Sequence, residues 1–576
     1  MTKIKKLISL SLVLIMLFAV MTPAASAVTN DRVKYPIIFI AGSSVDLVDG
    51  DQKPISTGFD VFTDDDEGDL TKDDIIAKVM NVMIPFVVEG LPFDKWDNYG
   101  EALYEELAPI FEEGQLDGNG NPKFGTGVAK AEIDSWNNIA STKDYGSDGV
   151  FGLWDYKFRY DWRLSPYDSV DRLHTYIKTI LNTTKCKKVC LVGRCLGGNL
   201  VTAYLDKYGS EGLVAKVVYD EVMSNGSATV NDCFSGKIKF SDKHTQAYIA
   251  QTEYFSNEDL GVDISSLNNV LVEAIEQTID FTTQTGIMNS IFGGVESLYE
   301  RLYGALMPAF LLASGIATWP SYWTSVYEED FDAALELMFG KEGSEKRAEY
   351  AGLIEKILYL RERFTIPRER KGEDNLYKQF EKNYGVEIAV LAGYGLVQAP
   401  ITESYDLTGD CTVDLRSASF GATAAGVFDT LSDEYISERT AAGYGDYISP
   451  DKKVDASTCL FPDTTWFLKN KHHDGGSGWD YIATHFCQYK DYTVSNNYKD
   501  ISRFVVIKSI HSTSSSGFEN LTAENSTDGE WLNIVEQEPT KESIFVAAMR
   551  WFTTLFKVIG MLLRGEISFG EAKEML

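Results

Sequence analysis

Apolar residues along this chain follow two rhythms. Short unbroken runs, rich in β-branched and aromatic residues, alternate with longer stretches whose apolar positions recur every three or four residues. Tyr35-Pro36-Ile37-Ile38-Phe39-Ile40 is a run of the first kind and ends at Ala41-Gly42-Ser43-Ser44. It predicts a strand buried on both faces, followed by a tight turn. Over residues 168–182, Val170, Leu173, Ile177, Ile180 and Leu181 fall on one helical face. A polar turn, Asn182 to Lys185, leads into Val189-Cys190-Leu191-Val192, the glycine-rich Gly193-Arg194-Cys195-Leu196-Gly197-Gly198, and a helical Asn199 to Leu205. Another β-rich run covers Val214 to Met223. Alternating helix and strand predicts an α/β fold with a mostly parallel central sheet.

The rhythm changes over residues 240–385, where Tyr299, Leu302, Tyr303, Leu306, Phe310 and Leu311 mark long apolar helices. Strand-like runs resume at Val386 to Leu391. Because this stretch falls between sheet elements, a helical cap over the sheet is favoured over a separate helical domain. Later runs, Thr465 to Leu468 and Phe504 to Ile507, add further strands. At the C-terminal end, Ile544 to Leu563 is apolar but carries Arg550 and Lys557. Those charges predict an amphipathic helix packed on the domain or lying on a membrane surface, not a span.

The N-terminal end follows a different logic. Lys3, Lys5 and Lys6 precede the mostly apolar Leu7 to Met21, and Ala25-Ser26-Ala27 fits the small-residue cleavage rule. This predicts a secretory signal peptide cut near Ala27, and a secreted or cell-envelope protein. The chain then divides into a leader (1–27), a first core part (28–239), the helical insertion (240–385), a second core part (386–535) and the C-terminal helix (536–576).

Composition narrows the function. Acidic residues number 85 against 53 basic, a net charge of -32, which argues against nucleic-acid partners. The acidic stretch of residues 60–75 lacks the ligand spacing of a calcium loop, and no Cys-x-x-Cys pair suggests zinc. Seven cysteines leave at least one thiol without an intrachain partner, whatever disulfides form.

The segment Val189 to Gly198 carries the chemistry. Strand, Gly-x-nucleophile-x-Gly, helix is the nucleophile elbow of α/β-hydrolases. Its turn holds the central side chain above the sheet at a helix N-terminus, where amide groups and the helix dipole favour negative charge. Here that residue is Cys195. A thiol there can act as a thiolate nucleophile toward acyl groups.

Four segments in order strengthen this reading: the run ending at Ala41-Gly42, Tyr160-Asp161-Trp162-Arg163, the elbow, and Gly409-Asp410-Cys411-Thr412-Val413. Spread over roughly residues 33–475, they resemble the lecithin:cholesterol acyltransferase family of α/β-hydrolases. The chain departs from that family's pattern at Ala41 (a turn proline there), Arg194 (histidine), Cys195 (serine) and Cys411 (glycine). The resemblance implies Cys195 as nucleophile, Asp410 as the acid that orients a histidine, and the backbone amides of Ser43 and Leu196 as the oxyanion hole. It also implies a base later in the chain than Asp410.

Six histidines are available. His174 and His244 precede Asp410, and His485 lies within a predicted helix. His473, on a loop after the Thr465 strand, is favoured as base; His472 and His511 remain alternatives. Asp406-x-Thr408-x-Asp410 looks like half a calcium loop, but Cys411 and Ser417 stand where glycine and a carboxylate belong. No metal and no cofactor are expected. The expected function is a lipase, esterase or O-acyltransferase acting on a hydrophobic acyl ester or lipid, with peripheral membrane or cell-surface contact. The alternative is a catalytically inactive hydrolase-fold protein that binds lipid or a cell-surface partner.

Overall fold

The computed structural model describes residues 32–43, 47–55, 95–133, 151–256, 295–473, 479–497, 500–508 and 517–526. The expected leader (1–27), the acidic stretch 60–75, His511 and the expected C-terminal helix (536–576) lie outside the described residues.

Among the described residues, eight strands form the main sheet. They are β1 (Ile37–Ile40), β2 (Tyr156–Phe158), β3 (Val189–Arg194), β4 (Val214–Asp220), β5 (Glu387–Tyr394), β6 (Thr465–Lys469), β7 (Phe504–Ile507) and β8 (Phe518–Asn520). Their order across the sheet is β8-β7-β6-β5-β4-β3-β1-β2. Neighbours are parallel, except that β8 runs antiparallel to β7 at the edge. β1 and β4 are buried along their whole length, and β3 up to its last residue, as their unbroken apolar runs require when both sheet faces are covered.

Helices flank the sheet, giving the α/β fold with a mostly parallel central sheet expected from the sequence. The helix expected over 168–182 is α1 (Pro166–Thr184), which begins with proline at its first position, where the missing N–H costs nothing. It packs against α2 (Gly197–Tyr208), the helix that leaves the elbow. The described part of residues 240–385 is helical and includes α3 (Asp242–Ser256). This insertion touches the C-terminal edge of the sheet beside the elbow. Asn199 of α2 donates to the Ser321 carbonyl (3.2 Å), and the Tyr377 hydroxyl donates to the Ser224 carbonyl (2.8 Å). Trp319 and Trp323 anchor the insertion, both fully buried. After β6, the chain turns at Asn470 and returns as α4 (Trp479–Gln488). No helix among the described residues is long and apolar enough to cross a membrane.

Candidate active site

The elbow has the geometry its sequence demands. Cys195 takes a left-handed backbone (φ 53°), a conformation a non-glycine residue holds only when its surroundings enforce it. Its amide donates to the Asp220 carbonyl at the end of β4 (3.1 Å). Gly197 allows the tight approach that follows: a Cβ there would stand 2.0 Å from the Ile40 carbonyl oxygen. Gly42 closes the turn from the other side, where a Cβ would lie 3.1 Å from both the Cys195 sulfur and the Leu196 amide nitrogen. The end of β1, the nucleophile position and the Leu196 amide therefore meet at one spot. Ser43 follows Gly42 with its side chain exposed.

Asp410 and His473 are joined twice. The His473 amide donates to the Asp410 carbonyl (3.0 Å), and its Nδ1 meets Asp410 Oδ2 at 2.6 Å. The second carboxylate oxygen, Oδ1, accepts from the amides of Thr412 (2.9 Å) and Val413 (2.6 Å). Burial opposes ionisation of Asp410, yet His473 and these donors outweigh it and hold the carboxyl below the usual carboxylate range. The His473 imidazole is also buried, which disfavours its charge. The Asp410 carboxylate and the neighbouring Cys195 outweigh that, so its pKa sits well above the ordinary value. Its Nε2 has no hydrogen-bond partner among the described residues. The structure thus pairs His473 with Asp410 and puts Cys195 near enough to act on the imidazole's charge, while the Cys195 thiol itself meets Met223 Sδ at 3.9 Å.

Three of the other described histidines, His174, His485 and His244, are engaged elsewhere. His472 is half-buried, and it is the ring of its neighbour, His473, that meets Asp410. His174 stacks on Tyr208 with ring centroids 3.9 Å apart. His485 bonds to the Tyr481 carbonyl one turn back (2.6 Å). His244, on α3, links Ser241 (2.6 Å) to Asp406 (3.0 Å). Asp406 and Asp410 therefore face different histidines.

One part of the site escaped the sequence reading. Glu221, next after β4, is fully buried with a left-handed backbone (φ 49°). Its Oε2 lies 3.8 Å from His473 Nδ1 and 2.5 Å from the Lys471 ammonium. Lys471 also faces Asp220 at 3.7 Å, and Arg194 faces the other Asp220 oxygen at 3.5 Å. Burial pushes the Glu221 carboxyl well above its usual range; Lys471 opposes the shift, while Asp410 and Asp220 reinforce it. Gly393 of β5 makes room, since a Cβ there would stand 2.4 Å from Glu221 Oε1 and 2.9 Å from the Asp410 Cβ. Ligand-type atoms of Glu221, Asp410 and His473 converge within 4.8 Å. Lys471 places an ammonium beside the Glu221 member of that cluster.

A structural comparison adds little. No protein-family model and no curated protein matches the chain. Among solved structures, the crystal structure of a Tle4–Tli4 complex matches at 16% identity and a TM-score of 0.17. That match covers 35% of this chain and 48% of the other, about half its length. A separate cavity of about 550 Å³ opens between the helices Asp97–Leu107 and Val295–Ala313, lined by Gly100, Tyr104, Ala305, Pro308, Leu312 and Lys346 among others. It shares no residue with the Cys195 site.

Proposed function

We propose that the protein is a thiol-dependent ester hydrolase or O-acyltransferase of the lecithin:cholesterol acyltransferase type, acting on a hydrophobic acyl ester outside the cytoplasm. The observation that carries this reading is Cys195, held at a strained elbow beside an imidazole whose other nitrogen is fixed by Asp410. In the mechanism, His473 Nε2 accepts the thiol proton and Asp410 stabilises the imidazolium. The Cys195 thiolate attacks the ester carbonyl, forming a C–S bond as the carbonyl pair moves onto oxygen. Amides at Leu196 and Ser43 stabilise that oxyanion. Collapse breaks the C–O bond, and the His473 imidazolium protonates the departing alcohol. Water or a second alcohol then attacks the thioester with His473 again as base; the C–S bond breaks, and the departing thiolate recovers its proton from the His473 imidazolium. The apolar helical insertion beside the elbow supports a lipid-like acyl group.

The test combines alkylation with turnover. Iodoacetamide should label Cys195 fastest. Burial pushes the Cys190 and Cys459 thiols up and takes Cys233 to about 12, so these compete poorly. A p-nitrophenyl ester should give a burst equal to the enzyme concentration. Cys195→Ala should abolish it, while Cys195→Ser should keep measurable turnover. Slow alkylation, no burst and retained lipid binding would instead establish an inactive lipid-binding protein.

A further inference from the structure

Tyr160 stands two residues beyond β2. The parallel register pairs Phe158 of β2 with Ile40 of β1, so Tyr160 lies level with Gly42, two residues beyond Ile40. Gly42 is the residue that packs on the Cys195 sulfur and the Leu196 amide. Tyr160 and Gly42 thus leave the sheet at the same end, and Tyr160 is near enough to Cys195 for their charges to interact.

Its hydroxyl is an anomaly. Tyr160 is 2% exposed, yet the hydroxyl has no hydrogen-bond partner among the described residues. An unpaired buried hydroxyl costs about 1–3 kcal/mol, and the ring's packing on Phe158 would be served equally well by phenylalanine. The adjacent residues hold Tyr160 firmly. Arg163, fully buried, grips Asp161 through Nε (3.0 Å) and Nη2 (2.7 Å) and donates to the carbonyls of Glu113 and Gly114, each at 3.2 Å. Burial first, then the nearby Cys195 and Asp161, push the phenol pKa well above its ordinary value. The group thus stays a neutral donor at any working pH.

We propose that the Tyr160 hydroxyl is a catalytic hydrogen-bond donor to the oxyanion formed when Cys195 attacks an acyl ester, supplementing the backbone amides. This rests on the acyl-transfer reading above. The phenol keeps its proton throughout: it stabilises the oxygen that receives the carbonyl electron pair, and releases that oxygen when the C=O bond re-forms as the alcohol departs. The unpaired hydroxyl in the free protein is then a donor whose partner arrives with the reaction, so it favours the transition state over the ground state.

The test is Tyr160→Phe in the full chain. Turnover of p-nitrophenyl butyrate, as kcat/KM, should fall about 100-fold, in line with the loss of one oxyanion donor. The iodoacetamide rate at Cys195 should not change, because alkylation forms no oxyanion. The melting temperature should hold or rise, because a buried unpaired hydroxyl has gone. Turnover within about threefold of wild type would overturn the proposal. A parallel fall in alkylation would overturn it too, by showing that Tyr160 only positions the thiol. A wild-type protein with no acylation burst would instead remove the acyl-transfer reading itself, and this assignment with it.

Discussion

Arg194 and His473 are tied together across the C-terminal edge of the sheet. The guanidinium of Arg194, the residue before the nucleophile position, donates through Nη2 to the His473 backbone carbonyl. It also faces Asp220 and sits over the Trp479 ring, 4.9 Å from its centroid. Trp479 opens α4, the helix that follows the histidine loop. One side chain on the elbow strand thus fixes both ends of that loop. Arg194→Met keeps the chain length and removes the donors. It should lower kcat by about tenfold with little change in KM, since a displaced base weakens the transition state more than substrate binding. Arg194→Lys should recover part of the loss. A KM effect alone would show that Arg194 acts on substrate and not on the loop.

Asp410 accepts two amides on one oxygen and the imidazole on the other, so its orientation is over-determined. Asp410→Asn preserves the shape but presents a neutral partner, and its amide group can drive His473 into the wrong tautomer. A fall in kcat on the order of 10⁴-fold is expected, by analogy with serine-histidine-aspartate sites. Alkylation of Cys195 should slow in parallel, because the imidazolium that balances the thiolate loses its carboxylate. Unchanged alkylation would separate Asp410 from thiol activation.

Glu221 and Lys471 form a fully buried pair beneath the site. Removing Lys471 takes away the one cation that opposes the upward shift of Glu221 and leaves Asp220 with Arg194 alone, while removing Glu221 strands the Lys471 ammonium in the protein interior. Lys471→Met should therefore destabilise the fold by about 3–5 kcal/mol in urea unfolding. Replacing both together, Glu221→Leu with Lys471→Met, should recover at least half of that loss, because Arg194 still faces Asp220. A double mutant as unstable as the sum of its single mutants would mean the two side chains contribute independently.

The difference between Cys195 and Glu221 explains what could be read from sequence. The elbow was legible because its physics is local: glycines at fixed offsets, an apolar strand before and a helix after. Asp410 and His473 came from motif order, chain order and a short audit of histidines, and the side chains do lie side by side. Glu221 had no such signature. It closes the run Val-Val-Tyr-Asp-Glu, and a polar strand end ordinarily faces water. Only the placement of β5 and of the loop after β6 against β4 buries it, and those elements lie more than 160 residues further along the chain. The one available clue was two successive carboxylates at the C-terminal end of a central parallel strand, the edge where such sheets place their chemistry. The helix boundaries differed for a simpler reason: Pro166 starts α1 two residues before the expected start at 168, and four before the first periodic apolar residue, Val170.

Stability should depend on pH with a sign set by these same groups. The folded-state pKa of His473 lies above its unfolded value of about 6.5, so its contribution is fully present below that pH. As pH rises from there through the folded pKa, the folded chain holds a proton that the unfolded chain has released, and stability falls. Glu221 acts with the same sign from about pH 4.3 upward, because its folded form also favours the proton. Asp410 acts oppositely: its contribution is complete above about pH 3.9 and is lost as pH falls through its depressed folded pKa. His473→Gln isolates the imidazole. The difference in unfolding free energy between wild type and this variant should be constant below about pH 6 and then shrink toward pH 9. Its slope cannot exceed about 1.4 kcal/mol per pH unit, the limit for one proton. A difference that stays flat across neutral pH would mean that the carboxylate does not hold a charged imidazole, and the thiolate would then lack its counter-ion.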